Sequence, residues 1–241
     1  MRGQEGAKRK GRAAGPAPMR RHYNAAARET PEQRRQGAHL HLRQFHNQLK
    51  LGLMQQWAPH PRHVLDLACG KGGDVSKWSR LRAASYVGVD VADQALAVAR
   101  ERYAHLGLPQ HYLHANILDP LPPAKYDVVS CQFAMHYFGG EQLRQLWQQI
   151  RAALAPGGVV LATYTDGLAL ARLALSELHR QQQTSGTLHI RLALAELEVP
   201  ERSWRALQAG QAGQAVPDDL EYRFHMGSLV SRSCPEYFLW P

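Results

Sequence analysis

Two acids, a run of small residues and a group of polar side chains are spaced so that together they could hold a nucleoside-like ligand. The stretch Val64-Leu65-Asp66-Leu67-Ala68-Cys69-Gly70-Lys71-Gly72-Gly73-Asp74 passes from apolar residues through an acid into a small-residue turn, then to a polar residue that opens a helix. Glycines in such a turn let the backbone approach a ligand closely. A turn of this kind between strand and helix binds nucleotide-like groups. Asp90 closes the next apolar run, Tyr86-Val87-Gly88-Val89-Asp90, 20 residues after Gly70. In a doubly wound sheet a carboxylate at that spacing accepts both hydroxyls of a ribose. Farther on, Ser130-Cys131-Gln132-Phe133-Ala134-Met135-His136-Tyr137 sets Gln132 and His136 beside aromatic rings. Their place is a strand end, where open α/β sheets bind ligands.

The turn excludes two nucleotide sites. A P-loop needs G-x-x-x-x-G-K-[S/T], which is absent. The dinucleotide fingerprint fails as well, because Val75 stands where the third glycine belongs. A shorter small-x-Gly-x-Gly turn suits a ligand with a zwitterionic amino-acid tail, and S-adenosylmethionine is such a ligand. The expected fold is therefore α/β, of the class I (Rossmann-like) S-adenosylmethionine-dependent methyltransferase type.

The elements that must position these residues follow from periodicity. Apolar runs near 63–67, 85–90, 111–116, 126–132 and 158–164 read as strands, and helical stretches near 74–81, 93–106 and 141–154 separate them. Such alternation gives a mostly parallel sheet with helices on both faces. Pro156-Gly157-Gly158 reads as the turn into the fifth strand. Ahead of the first strand, Leu42, Phe45, Leu49 and Leu53 form one apolar stripe on a helix expected over 31–57, with Asn47 and Lys50 on its flank. After Asp166 the pattern weakens. A helix is expected near 167–180, a strand or second helix over Leu188 to Leu197, a loop over 208–219, and a short strand at Tyr222, Phe224 and Met226.

Of 241 residues, 29 are Lys or Arg and 20 are Asp or Glu, a net charge of +9. Residues 1–60 hold 12 basic against 3 acidic side chains and residues 61–241 hold 17 against 17, so the excess lies in the first quarter. That distribution points to a polyanionic partner for the N-terminal part. Residues 1–21 are basic and aperiodic and are expected to be a disordered tail, with 22–241 as the folded domain. Lys8-Arg9-Lys10-Gly11-Arg12 could be a nuclear-localisation or RNA-contacting cluster, a solvated tail, or part of a transit peptide. Cys69, Cys131 and Cys234 stand singly, which suggests neither a disulfide framework nor a zinc site. No apolar run approaches 18 residues.

Taken in order, His22-Tyr23-Asn24, Leu42-x-x-Phe-x-Asn47-x-x-Lys50, Val64 to Trp78, Asp90-Val91-Ala92-Asp93, Arg102-Tyr103, Ser130 to Tyr137 and Cys234-Pro235-Glu236-Tyr237 resemble the eukaryotic mRNA cap guanine-N7 methyltransferases. The resemblance implies that Lys50, Ala68, Gly70, Asp90, Gln132 and Tyr137 hold S-adenosylmethionine. The acid that the family places on the adenine amino group is replaced by Asn116 or displaced to Asp119. It implies further that His46, Asn47, Lys71, Lys77, Arg102, His136 and Glu236 line the path of the cap guanine and its triphosphate. No side chain would act as a catalytic base and no metal would be needed. The implied partners are the capped 5′ end of mRNA, with other capping enzymes or the polymerase machinery, and the implied place is the nucleus.

The sequence departs from the family pattern at two further points. Ala68 stands where the family usually has Gly, a mild change if only the backbone is used. The family continues beyond Pro-Glu-Tyr with a helix, further strands and a late tyrosine, whereas this chain stops five residues after Glu236. The domain is accordingly expected to be C-terminally incomplete, with a sheet lacking its antiparallel edge and a base pocket short of one wall. Two rival readings remain: a binding module that holds S-adenosylmethionine or capped RNA without transfer, and a same-fold methyltransferase acting on another RNA or a small molecule.

Overall fold

A computed structural model describes residues 16–26, 39–121, 123–192, 195–226 and 235–239. Its centre is a five-stranded, all-parallel sheet in the order β3-β2-β1-β4-β5, formed by β1 (His63–Leu67), β2 (Ser85–Asp90), β3 (Gln110–His114), β4 (Tyr126–Gln132) and β5 (Leu154–Thr163). Alternating residues of the central strands feed two cores. Leu65 and Val129 face one core, closed by Leu146 and Ile150 of α5 (Gly140–Ala153). Val64 and Val128 face the other, with Met54 of α2 (Leu40–Trp57), Trp78 of α3 (Val75–Arg80), and Leu96 and Ala99 of α4 (Asp93–Tyr103). The period-2 alternation of β-structure thus sorts each strand between two helix layers. Order reverses between β1 and β4, which opens a crevice at their C-terminal ends.

The fold has the expected class and all five strands of the parallel sheet, and it corrects several details. α1 spans Pro16–Ala26, so the supposed tail turns helical before residue 22. Proline suits the first position of a helix, and Met19 and Tyr23, one turn apart, pack onto the first core. Residues 1–15, including the basic cluster at 8–12, lie outside the described residues, as do 27–38 at the start of the helix expected over 31–57. In α2 the apolar stripe is not the inward face: Phe45 and Leu49 are exposed, and the buried side chain is Met54. Periodicity locates a stripe but not the side that finds a partner. The Pro156-Gly157-Gly158 turn is absorbed into β5 as an irregularity, with a register shift opposite Tyr126 and Val128.

A second layer follows β5. α6 (Gly167–Gln181) and α7 (Glu201–Gln211) share a third core with an antiparallel sheet in the order β6-β7-β8-β9. Its strands are β6 (Leu188–Arg191), β7 (Glu196–Val199), β8 (Glu221–His225) and β9 (Glu236–Tyr237). The stretch 188–197, left between strand and helix, is one strand and the start of a second. The loop expected from 208 begins only after α7 ends at Gln211, because Trp204 and Leu207 bury one face of that helix. Among the described residues the antiparallel strands belong to this second sheet, and β5 pairs on one side only.

Candidate functional site

The turn after β1 is held in left-handed backbone conformations, with φ +55° at Ala68, +52° at Gly70 and +68° at Gly72. Glycine adopts these freely, whereas alanine pays about 1 kcal/mol or more. The Ala68 departure is therefore not mild: the position sits in a glycine conformation. Gly72 is constrained twice, since a Cβ there would crowd Tyr103, Val75 and Ala99. Asp90, at the end of β2, fastens the turn. Its carboxylate accepts the Gly70 N–H at 2.7 Å and the Ala92 N–H at 2.8 Å. Burial raises its pKa, and the bonds from Ala92 and Gly70 oppose that rise.

Above this turn lies a cavity whose lining includes Ala68, Gly70, Asp90, Asn116, Gln132 and Tyr137. Six of the seven residues expected around a cofactor therefore share one space. Gln132 is locked by β5: its Nε2 donates to the Leu161 carbonyl at 3.0 Å, and its Oε1 accepts from Thr163 at 2.8 Å. Asn116, rather than Asp119, faces the cavity. Its Oδ1 accepts the Leu118 N–H at 3.1 Å, while Asp119 is exposed and is not a lining residue.

The lining also contains Phe133, an aromatic ring expected beside Gln132 at the strand end, and residues for which sequence reasoning had no role, namely Met19 and Tyr23 of α1, together with Val91, Ile117, Ala134 and Phe138. The Tyr23 and Tyr137 hydroxyls are 2.7 Å apart. Asn24 ties α1 to the start of α4, donating to Asp93 at 3.0 Å and accepting the Gln94 N–H at 3.2 Å. The His22-Tyr23-Asn24 motif carried this signal. Phe133, at φ +56°, stacks its ring 4.5 Å from that of His46. Burial, then the neighbouring Lys50 charge, lowers the His46 pKa.

Lys50, the seventh expected cofactor residue, does not line the cavity. Its ammonium pairs with Asp74 at 2.8 Å, and Lys77 pairs with the same carboxylate at 2.6 Å. Lys77 also donates to Asn47 Oδ1 at 2.9 Å and to the Gly73 carbonyl at 3.0 Å. Burial would raise the Asp74 pKa, but the two lysines outweigh it and hold the carboxylate below its ordinary range. Burial, by contrast, lowers that of Lys77 despite Asp74. Lys77, expected on a triphosphate path, is thus a buried brace joining α2 to α3. Arg102 lies at the end of α4 with its guanidinium 6.0 Å from the Tyr103 ring centre, and Lys71 is half-buried in the turn. The cations expected to share one cleft are therefore spread over three settings.

His136 and Glu236, 100 residues apart in sequence, meet in the interior. His136 Nε2 lies 3.9 Å from Glu236 Oε2, and both side chains are almost fully buried. His136 belongs to the 3₁₀ turn Met135–Tyr137 after β4, and its ring centre is 4.6 Å from that of the cavity residue Tyr137. Burial lowers the His136 pKa to about 4 and raises that of Glu236 to about 7, so the pair rests as neutral imidazole and carboxyl below neutrality. A neutral pair of this kind can donate and accept hydrogen bonds without charge. Cys234 of the same motif lies outside the described residues.

Comparison with known proteins agrees with this geometry. The mRNA (guanine-N(7))-methyltransferase domain matches residues 7–240. The rice (Oryza sativa subsp. japonica) mRNA cap guanine-N(7) methyltransferase 1 is 30% identical over 90% of this chain and 59% of its own length. The Schizosaccharomyces pombe mRNA cap guanine-N(7) methyltransferase is 30% identical over 91% of this chain and 61% of its own. The chain thus spans about three fifths of the length of these curated relatives. Among solved structures, the DhpI-SAM-HEP complex superposes with a TM-score of 0.51 at 18% identity, covering 80% of this chain and 88% of that one, a likeness of fold. With the turn, the crevice and the family match in agreement, the chain belongs to the mRNA (guanine-N(7))-methyltransferase family.

Proposed function

We propose that this protein transfers a methyl group from S-adenosylmethionine to N7 of the guanine in a 5′ GpppN cap. One observation supports the reading: the eight residues Ser130 to Tyr137 reach both the cavity and the buried Glu236. Gln132, Phe133 and Tyr137 line the cavity over the glycine turn, and His136 faces the buried Glu236. A donor in the cavity and a base at His136 and Glu236 would therefore meet across a single short segment.

S-adenosylmethionine, when bound, supplies an electrophilic methyl group on a sulfonium. Asp90 is suited to its ribose, since each carboxylate oxygen retains acceptor capacity beside its backbone bond. Asn116 is suited to the adenine edge, and Gly70 and Gln132 to the amino-acid end. Guanine N7 presents a lone pair, so attack needs no general base. The work of the protein is alignment of nucleophile and methyl carbon at near-attack distance. Ionised Glu236 accepts from the guanine N1 and N2 edge, and neutral His136 contacts the base from the side.

The capped 5′ end of mRNA is the proposed partner, alongside other capping enzymes or the polymerase machinery, with the nucleus as the place of work. The basic excess of residues 1–60 supports salt-sensitive contact with RNA. Glu236→Ala separates the two sites. GpppG affinity is expected to fall about 10- to 100-fold, the cost of a charged hydrogen-bond acceptor, while S-adenosylmethionine affinity holds in calorimetry. Equal loss of both affinities would count against the assignment.

A further inference from the structure

The role proposed for Glu236 leaves a neighbouring side chain unexplained. Tyr222 stands opposite Glu236 in the β8–β9 ladder, so the two side chains project from the same face of that sheet. Tyr222 is completely buried, and its ring is held edge-on by Phe238 at 5.0 Å between centres. Packing alone would be satisfied by phenylalanine. The hydroxyl instead adds a polar atom to a sealed interior, where the side chains of Thr165 and Glu236 approach it but neither makes a hydrogen bond of normal geometry. Glu236 Oε1 and His136 Nδ1 are in the same condition. Three uncompensated polar atoms, from β8, β9 and the turn after β4, therefore belong to one cluster.

Buried polar groups are ordinarily satisfied, and a cluster of exceptions marks a place where a ligand completes the bonding. A carboxylate flanked by a phenolic O–H and a neutral imidazole suits a flat heterocycle with two adjacent N–H donors. We propose that Tyr222 is a positioning residue of the base site: its hydroxyl donates to the Glu236 carboxylate and aims it at the N–H edge of the bound guanine. This rests on the cap-methylating reading above. The phenol can give its proton to the bond and still leave both carboxylate oxygens a lone pair for the base. The resting structure supports the direction of the effect, since Tyr222 already eases the ionisation of Glu236 against its burial. Among the described residues, His136 and Tyr222 are the titratable groups that face Glu236, and His136 is itself held neutral by burial.

The test is Tyr222→Phe in the whole 241-residue chain, with GpppG and S-adenosylmethionine binding measured by calorimetry from pH 6 to 9, beside thermal melting. The expected result is GpppG affinity about tenfold weaker at pH 7, with the midpoint of its pH dependence moved upward and S-adenosylmethionine affinity unchanged. The difference should narrow at pH 9, where Glu236 is ionised in both proteins. Superimposable GpppG profiles for wild type and variant overturn the inference and leave the functional reading standing. A wild type that binds S-adenosylmethionine but not GpppG overturns the functional reading, and this inference with it. If Tyr222→Phe lowers the melting temperature, the same substitution is compared in a Glu236→Gln background, where a positioning role predicts no further loss of GpppG affinity. An equal loss in that background overturns the inference.

Discussion

The two halves of the site are built in opposite ways. On the donor side the polar groups that matter are already satisfied: Asp90 by Gly70 and Ala92, Gln132 by Leu161 and Thr163, Asn116 by Leu118. They surround an open cavity. On the base side the polar groups are sealed and face one another, and one atom of each, His136 Nδ1, Glu236 Oε1 and the Tyr222 hydroxyl, has no hydrogen bond of normal geometry. A satisfied, open site binds its ligand without rearrangement. A closed, unsatisfied one has to open and gains its bonds only when the ligand arrives. On the proposed function, the donor half would be pre-organised and the base half completed by its substrate.

Substitutions can break this contrast, and Asp90→Ala should do so most severely. It removes the acceptor for two backbone N–H groups and for the ribose, each a charge-assisted bond of about 1.5–3 kcal/mol. S-adenosylmethionine affinity should fall on the order of 100-fold or more in calorimetry, with GpppG affinity nearly intact. Gly139→Ala attacks the other half. A Cβ at Gly139 would overlap the ring of Tyr237, the residue after Glu236. Overpacking of this kind costs about 1–3 kcal/mol, so β9 should shift and GpppG binding weaken by about tenfold or more, with S-adenosylmethionine binding spared.

Acidity sharpens the comparison further. Glu236 has its pKa raised from 4.5 to about 7, so the free protein carries it protonated below neutrality. On the proposed function, guanine would offer N–H donors and select the ionised form. GpppG affinity should therefore fall as pH drops below about 7, by up to tenfold per unit. Binding at pH 6 should release close to one proton, measurable as a dependence of the binding enthalpy on the buffer. The smallest effect is expected at Ala68. With φ at +55°, Ala68→Gly should relieve left-handed strain and raise stability by about 0.5–1 kcal/mol in chemical denaturation, without loss of donor affinity.

The two halves also differed in how far they could be read from sequence. The donor half is local: the turn, Asp90 and Gln132 lie at strand ends that periodicity and glycine spacing expose. Its cover escaped notice, because basic, small residues around Met19 and Tyr23 outweighed the one-turn spacing that makes them an apolar pair. Lys50 was assigned to the cofactor and Lys77 to the triphosphate path only through family resemblance, and nothing in their spacing reveals that both close on Asp74. On the base side, Glu236 could be assigned only through family resemblance. Its partners come from the turn after β4 and from β8, and contacts between elements so far apart leave no periodic trace. The alternation at Tyr222 predicted a strand but not its register against Glu236.

The most direct test is transfer of labelled methyl from S-adenosylmethionine to GpppG-capped RNA by this chain, with m7GpppG-capped RNA as the control. Label entering only the unmethylated cap is the predicted result, since it requires both halves to act on one guanine. Equal labelling of both RNAs, or none of either by a protein that binds both ligands, would contradict it.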